Sequence, residues 1–411
     1  MAIKNFHSHH ALRAIYDTDN IKKITMTLHH LPSLLKSLTL VLTIVFGFSA
    51  PLKAEIITPA EYVMIMDYES GDILYEKNAD AAMKPASMAK LMTTYLLFEQ
   101  LQNGSLRLED KFIVSEKAYR KGGSRMFVEI GSQVSVSDLL RGIIVQSGND
   151  SAIVVAEGLA GTENAFAEEM TARAKSLGMD NTVFGNATGW PDEVTTTTAR
   201  DLAILAKSMI KNHPEFYGIY AEKTFTYNNI KQNNRNPLLY TVEGADGLKT
   251  GHTNESGYGL VGSAEINGQR IILVLNGLSS SKERKLESVR LMNLAFRTFK
   301  KFELLTADQT VKDAPLWMGN EETVPLVSPE TVSRVMTRKA HNAMTTRIVY
   351  PDEIKAPVTK GQNIGTIYIT IDGVEQAYPL VAGKDIGQLP IHKRIGAFFK
   401  FLIFGADAPQ K

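Results

Sequence analysis

Lys84-Pro85-Ala86-Ser87-Met88-Ala89-Lys90-Leu91-Met92 decides how the rest of this chain is read. Apolar residues follow at helical spacing through Gln102, with Leu91, Met92, Tyr95 and Leu96 among them. Pro85 fits a helix start, and Ser87 then falls in the first turn. Residues three apart on a helix share a face, so the Ser87 hydroxyl and the Lys90 amine can touch. A serine hydroxyl is a weak nucleophile until a base takes its proton. Lysine serves as that base only where burial and nearby positive charge lower its pKa toward neutrality. The helix N-terminus also offers backbone N–H groups to an oxyanion. Alone, the pair reads equally as a capping serine beside a surface lysine. Ser33-Leu34-Leu35-Lys36 repeats the spacing inside an apolar leader.

Two further strings give the first its meaning. Ser147-Gly148-Asn149 lies between apolar stretches at residues 139–145 and 152–156. The spacing predicts a short loop between two helices, presenting a hydroxyl and a carboxamide. Ser147 could relay a proton, and Asn149 could hold Lys90 and a substrate carbonyl; a plain turn is the alternative. Lys249-Thr250-Gly251 precedes a β pattern: a strand at Gly257–Ile266, a two-residue turn at Asn267-Gly268, and a partner strand over 269–276. The third string then lies on a neighbouring strand. Lys249 and Thr250 there can bind an anionic carboxylate, and Gly251 admits a ligand backbone. The His252 backbone N–H can complete an oxyanion hole with that of Ser87. An exposed strand end is the plainer alternative.

With all three strings in order, the chain resembles the serine acyl-transfer enzymes that combine Ser-x-x-Lys with a Ser-x-Asn string and Lys-Thr-Gly. It is most similar to the low-molecular-mass penicillin-binding proteins, the D-alanyl-D-alanine carboxypeptidases. Gly123-Ser124-Arg125-Met126-Phe127, Ile144 through Asp150, Asn186-Ala187-Thr188-Gly189, Asn234-Arg235-Asn236 and Lys249 through Thr253 all look like segments of that family. The likeness runs from about Pro59 to Thr306 and continues more weakly to the C-terminus. It implies an α/β (α+β) fold of the serine β-lactamase/transpeptidase type, an antiparallel sheet flanked by helices. The implied substrate is the peptidoglycan pentapeptide, whose terminal D-alanine is removed through an acyl-enzyme on Ser87. Lys90 is the implied general base. Ser147 and Lys249 help move a proton to the leaving amine, and Asn149 positions the substrate. Thr250, Lys249 and Arg235 bind its carboxylate, beside the close approach at Gly251, and His252 contributes only its backbone. β-Lactam antibiotics are implied as covalent inhibitors.

Composition narrows the alternatives. The chain has 411 residues, room for more than one domain. Lys and Arg number 45 against 44 Asp and Glu, for a net charge of +1, so no basic excess points to nucleic acid. There is no cysteine, which excludes thiol catalysis, cysteine-ligated metals and disulfides. Five of the nine histidines lie at or before His30 and the rest are scattered, so neither a metal site nor a cofactor is expected. Lys36 precedes an apolar run over residues 38–48, and Ala54 ends the leader, as in a signal peptide. Met26 is a second possible start, and an uncleaved anchor is the alternative.

The expected organisation is a leader at 1–54, a catalytic domain at 55–306, an all-β domain at 307–388 and a terminal segment at 389–411. A helix-like stretch over 285–302 closes the catalytic part. Prolines then punctuate strand-like runs at Thr323–Val327, 347–350 and 365–371, with an Asp372-Gly373 hairpin leading to 374–380. In the terminal segment, Ile391, Ile395, Phe398, Phe399 and Leu402 share one helical face, and Lys393 and Lys400 the other. Such a helix is too short to span a bilayer but can lie in its surface; a helix docked on the β domain is the alternative. The expectation is therefore a periplasmic enzyme held at the outer face of the inner membrane. A β-lactamase is disfavoured, since no Glu-x-x-Leu-Asn lies between the second and third strings. An inactive wall-binding scaffold is disfavoured by three intact strings. A peptidoglycan endopeptidase is the nearer rival.

Overall fold

In the computed structural model, which describes residues 56–396, the hairpin read from the Asn267-Gly268 turn supplies the central strand of a five-stranded sheet. Strands β1 (Tyr62–Asp67), β2 (Ile73–Lys77), β3 (Ala245–Thr253), β4 (Gly257–Ile266) and β5 (Gln269–Leu278) form one five-stranded sheet. Its order is β2-β1-β5-β4-β3, and every neighbouring pair is antiparallel. Asn267 and Gly268 both have positive φ, 52° and 73°, as a two-residue turn between right-twisted strands requires. β5 is a nearly continuous apolar run because both of its faces are covered. Ile272 and Val274 face the large helical core, while Ile271, Leu273 and Leu275 alternate to the other side.

The helical core is built around α1 (Lys90–Gln102), in which every residue from Lys90 to Phe98 is buried. A helix apolar on all sides needs neighbours on all sides. They are α2 (Val136–Ile144), α3 (Asn149–Ala160), α4 (Glu163–Ser176) and α5 (Ala199–Asn212). α6 (Ser281–Thr298) covers the opposite face of the sheet. Side chains cap several of these helices: Ser135 accepts from Asp138 N, Thr198 from Asp201 N and Ser280 from Glu283 N. Each such cap contributes about 1 kcal/mol.

The chain then becomes all-β. The helix-like reading of residues 285–302 is displaced: α6 ends at Thr298, and β6 (Phe299–Leu305) is a strand. It pairs antiparallel with β9 (Val332–Thr337), a long-range partner that helical periodicity cannot reveal. β7 (Thr310–Trp317), β8 (Thr323–Val327), β10 (Thr345–Val349), β11 (Ile354–Lys355), β12 (Asn363–Ile371) and β13 (Val374–Ala382) make a six-stranded sheet. Its order is β10-β12-β13-β8-β7-β11, with only β7 and β11 parallel. The Asp372-Gly373 turn forms as read, with φ of 48° and 82°. Leu316, Val324, Leu326, Ile367, Ile369 and Leu380 belong to a core separate from the helical one.

Residues 391–396 are helical, with Ile391 68% and Ile395 55% exposed. The expected leader lies outside the described residues, as do Phe398, Phe399, Lys400 and Leu402. No helix among the described residues is long and apolar enough to cross a membrane.

Candidate active site

The three strings meet where the start of α1, the α2–α3 connection and the edge strand β3 converge. Pro85 starts a short 3-10 turn, Ala86–Ala89, that leads directly into α1. Ala86 has φ of +48°, a left-handed conformation that costs a non-glycine residue on the order of 1–3 kcal/mol. Two glycines press on this turn. A side chain at Gly189 would overlap the Ala86 carbonyl, and one at Gly251 would stand 2.8 Å from the Pro85 oxygen and 3.1 Å from Met88 Cγ. Gly251 therefore lets β3 lie against the turn that carries Ser87. The sequence reading gave that close approach to a ligand; the structure gives part of it to the protein's own backbone.

Lys90 is fully buried. Its Nζ donates to Ser87 Oγ at 3.0 Å, to Asn149 Oδ1 at 2.8 Å and to the Thr188 carbonyl at 2.6 Å. Burial is the main cause that lowers its pKa, to about 7, with the Arg235 charge pushing the same way. The Asp150 charge opposes that shift, as does that of Glu163. Ser87 is only half buried, so its hydroxyl is reachable from the cleft.

Ser147 and Gly148 form the connection, and Asn149 is the first residue of α3. Ser147 is buried with φ of +65°. Asn149 Nδ2 donates to the Gly122 carbonyl at 2.8 Å, so its carboxamide spans from Lys90 to the 122–128 loop. Asp150 fastens that loop further. Its carboxylate accepts from the backbone N–H of Met126 at 3.0 Å and of Phe127 at 2.9 Å.

Lys249 and Thr250 are buried on β3. Lys249 Nζ donates to the Thr250 carbonyl at 3.2 Å, and burial first, then the charges of Lys90, Arg235 and Arg284, hold its pKa well below the usual lysine range. The His252 ring stacks on Tyr258, with centroids 3.7 Å apart, which occupies the side chain. Arg235 Nη1 donates to Ser124 Oγ at 2.6 Å at the exposed rim.

Sequence reasoning missed three contributors. Arg284, on α6, is buried, and its Nη1 donates to the Gly251 carbonyl at 3.3 Å. Desolvation is the main cause that brings its pKa to about 10. Nothing near it in sequence signals this, because α6 reaches the site only through the sheet. The Thr188 carbonyl lies in a string already singled out, but as backbone it carries no residue-type signal. Asp150 adjoins Asn149, and its role depends on a loop more than twenty residues earlier. Among the described residues no cluster of side chains could hold a metal ion.

Three basic side chains, Lys249, Arg235 and Arg284, and a hydroxyl-bearing turn therefore share one cleft with a lysine poised near neutrality. Such a site can activate an alcohol and attract a carboxylate. The comparison with known proteins agrees with this chemistry. The D-alanyl-D-alanine carboxypeptidase family matches residues 50–279, and the chain belongs to that family of serine peptidases. The C-terminal domain of penicillin-binding protein 5 matches residues 299–388. D-alanyl-D-alanine carboxypeptidase DacF of Bacillus subtilis is 35% identical over 338 residues, which cover 81% of this chain and 87% of that one. Penicillin-binding protein 5 from Haemophilus influenzae superposes with a TM-score of 0.68 at 35% identity, covering 81% of this chain and 99% of that one. The ampicillin-bound form of penicillin-binding protein D2 from Listeria monocytogenes matches at 32% identity with a TM-score of 0.55, covering 59% of this chain and 99% of that one.

Proposed function

We propose that Ser87 attacks the penultimate D-alanine carbonyl of a peptidoglycan pentapeptide and that Lys90 takes its proton. The observation that carries this reading is the 3.0 Å contact from a fully buried Lys90 Nζ to Ser87 Oγ, with the lysine pKa near 7. Neutral Lys90 accepts the hydroxyl proton as the Oγ–C bond forms. The oxyanion takes hydrogen bonds from the backbone N–H groups of Ser87 and His252. The C–N bond then breaks, and the proton passes through Lys90, Ser147 and Lys249 to the leaving amine. Free D-alanine departs, leaving an ester on Ser87. Water attacks the ester, gives a proton to the base, and the serine is restored. Incubation with diacetyl-Lys-D-Ala-D-Ala tests the reading, with released D-alanine as the readout. An absence of release while a fluorescent penicillin still labels the chain counts against it.

The substrate carboxylate docks on Thr250 and Lys249, with Arg235 and Arg284 supplying field rather than one fixed pair. β3 is an edge strand, so an extended peptide can add beside it. A penicillin offers the same carboxylate and a strained amide, and is expected to acylate Ser87.

The site's pH dependence has a defined sign. Lys90 acts as base only when neutral, so kcat/KM is expected to rise with pH through about 7. The Arg235 charge lowers that pKa, so Arg235→Gln is expected to move the acid limb to higher pH. A pH–rate profile of both proteins measures this; a limb that moves the other way removes Lys90 from the base role.

The leader and terminal segment are proposed to export the chain and hold it at the outer face of the inner membrane. Ile391 and Ile395 border a cleft with Trp317, Met318 and Ala356 of the β domain yet stay mostly exposed, which supports an apolar face with area left for a membrane surface. Truncation after Pro390 is expected to abolish flotation of the mature chain with vesicles of anionic phospholipid. D-alanine release from a soluble peptide should persist, since no site residue lies beyond Arg284. Equal flotation of the two chains assigns the anchor elsewhere.

A further inference from the structure

Glu163 is the first residue of α4, and it is buried although no step of the reaction above uses it. A carboxylate in the first turn of a helix commonly answers the helix's own N-terminus. Here Thr162 already does so, its Oγ1 accepting from Ala165 N at 3.2 Å. Glu163 Oε1 accepts instead from Ala187 N at 3.2 Å. Its Oε2 pairs at 2.7 Å with Nζ of Lys117, which stands half exposed on the short helix Glu116–Arg120.

Ala187 belongs to the segment that supports the catalytic base. Its carbonyl accepts at 2.7 Å from Oγ1 of Thr93, one turn along α1 from Lys90. The next carbonyl, that of Thr188, accepts from Lys90 Nζ at 2.6 Å. A charged lysine has three N–H bonds, and Lys90 Nζ meets three oxygens. A neutral lysine has two N–H bonds and one lone pair. With Asn149 Oδ1 and the Thr188 carbonyl taking the two N–H bonds, the lone pair is left for the Ser87 hydroxyl. The position of the Thr188 carbonyl therefore sets where the base aims.

Resting on the mechanism proposed above, we propose that Glu163 is a positioning residue for Lys90: it fixes the segment Ala187-Thr188 that aims the amine at Ser87, and together with Lys117 it sets the charge behind that segment. The Glu163 charge favours the ammonium form of Lys90, and its pairing with Lys117 offsets part of that effect. The other charges facing Lys90 come from several elements. Arg235 and Lys121 favour the neutral amine, Lys249 on β3 repels the ammonium, and Asp150 on α3 favours it. Lys121 also interacts with Glu163. Glu163 and Lys117 are thus two members of a balanced set, and removing either one tips Lys90 in the opposite sense from removing the other.

The test is the pH dependence of acylation by a chromogenic β-lactam. Loss of a nearby negative charge lowers the pKa of an ammonium, so Glu163→Gln is expected to move the acid limb to lower pH. Lys117→Met is expected to move it to higher pH. Each shift should stay below about one pH unit, the lower end of what a carboxylate in direct contact produces. Glu163→Ala also removes the acceptor for the Ala187 N–H. It is expected to lower the limiting acylation rate about tenfold, the scale of one hydrogen bond to a charged group. Glu163→Gln, whose amide oxygen can accept the same bond, should recover most of that loss. A purely structural role would lower the Tm of these variants and leave the limb in place. Titration of the Lys90 Cε resonance in isotope-labelled chain, assigned by its loss in Lys90→Arg, reads the same amine without turnover. If the β-lactam fails to acylate the parent, the proposed mechanism falls, while the resonance still decides the role of Glu163. A limb or resonance that stays in place in Glu163→Gln, or that moves the same way in Glu163→Gln and Lys117→Met, overturns the proposal.

Discussion

Ser87→Ala is expected to abolish covalent labelling by a fluorescent penicillin and release of D-alanine, with the fold intact. The replacement removes one oxygen from a half-buried position at the start of α1, so little packing is lost. The one described hydrogen bond of its hydroxyl is the 3.0 Å contact with Lys90, whose Nζ keeps Asn149 and Thr188 as partners. A far-ultraviolet dichroism spectrum and thermal transition like those of the parent would establish that the chain still folds. Persistent labelling of that folded variant would move the nucleophile elsewhere; Ser147, buried in the same cleft, is the next hydroxyl to test.

Lys90→Arg is the second large effect. It keeps the positive charge and removes the ability to be neutral, since a guanidinium stays protonated in proteins. Acylation is expected to fall by at least ~10²-fold, the scale of a lost general base. The longer, forked side chain also meets a fully buried position already filled by contacts to three groups. Stopped-flow acylation by a chromogenic β-lactam separates the two consequences. Lost chemistry lowers the limiting acylation rate, whereas a distorted site weakens the initial non-covalent step. A limiting rate close to the parent's would hand the base role to another group.

Much of this site was legible because its chemistry is written in short local strings. Ser87 and Lys90 share a helical face whatever the rest of the chain does. Asn267-Gly268 fixes the hairpin that places β3 two strands from the middle of the sheet. The Thr188 carbonyl, Arg284 and the Asp150 clamp were not legible, because each acts through a partner distant in sequence. Asp150 would read as an ordinary first-turn carboxylate on α3 until the 122–128 loop folds onto it. The C-terminal strands were only partly legible. Val332–Thr337 and Phe299–Leu305 alternate weakly, and what makes them strands is their mutual pairing.

The turn bearing Ser87 is gripped from both sides by backbone, Gly189 on the Ala86 carbonyl and Gly251 on the Pro85 carbonyl. That grip restricts how such an enzyme could evolve resistance to an acylating drug. A side chain at either glycine would push on the turn that carries Ser87, so on the proposed mechanism the natural reaction is expected to suffer together with the drug's. On the proposed mechanism, drug and substrate also use the same hydroxyl, the same base and the same carboxylate seat. Variation that separates the two is therefore confined to surfaces that only one of them touches.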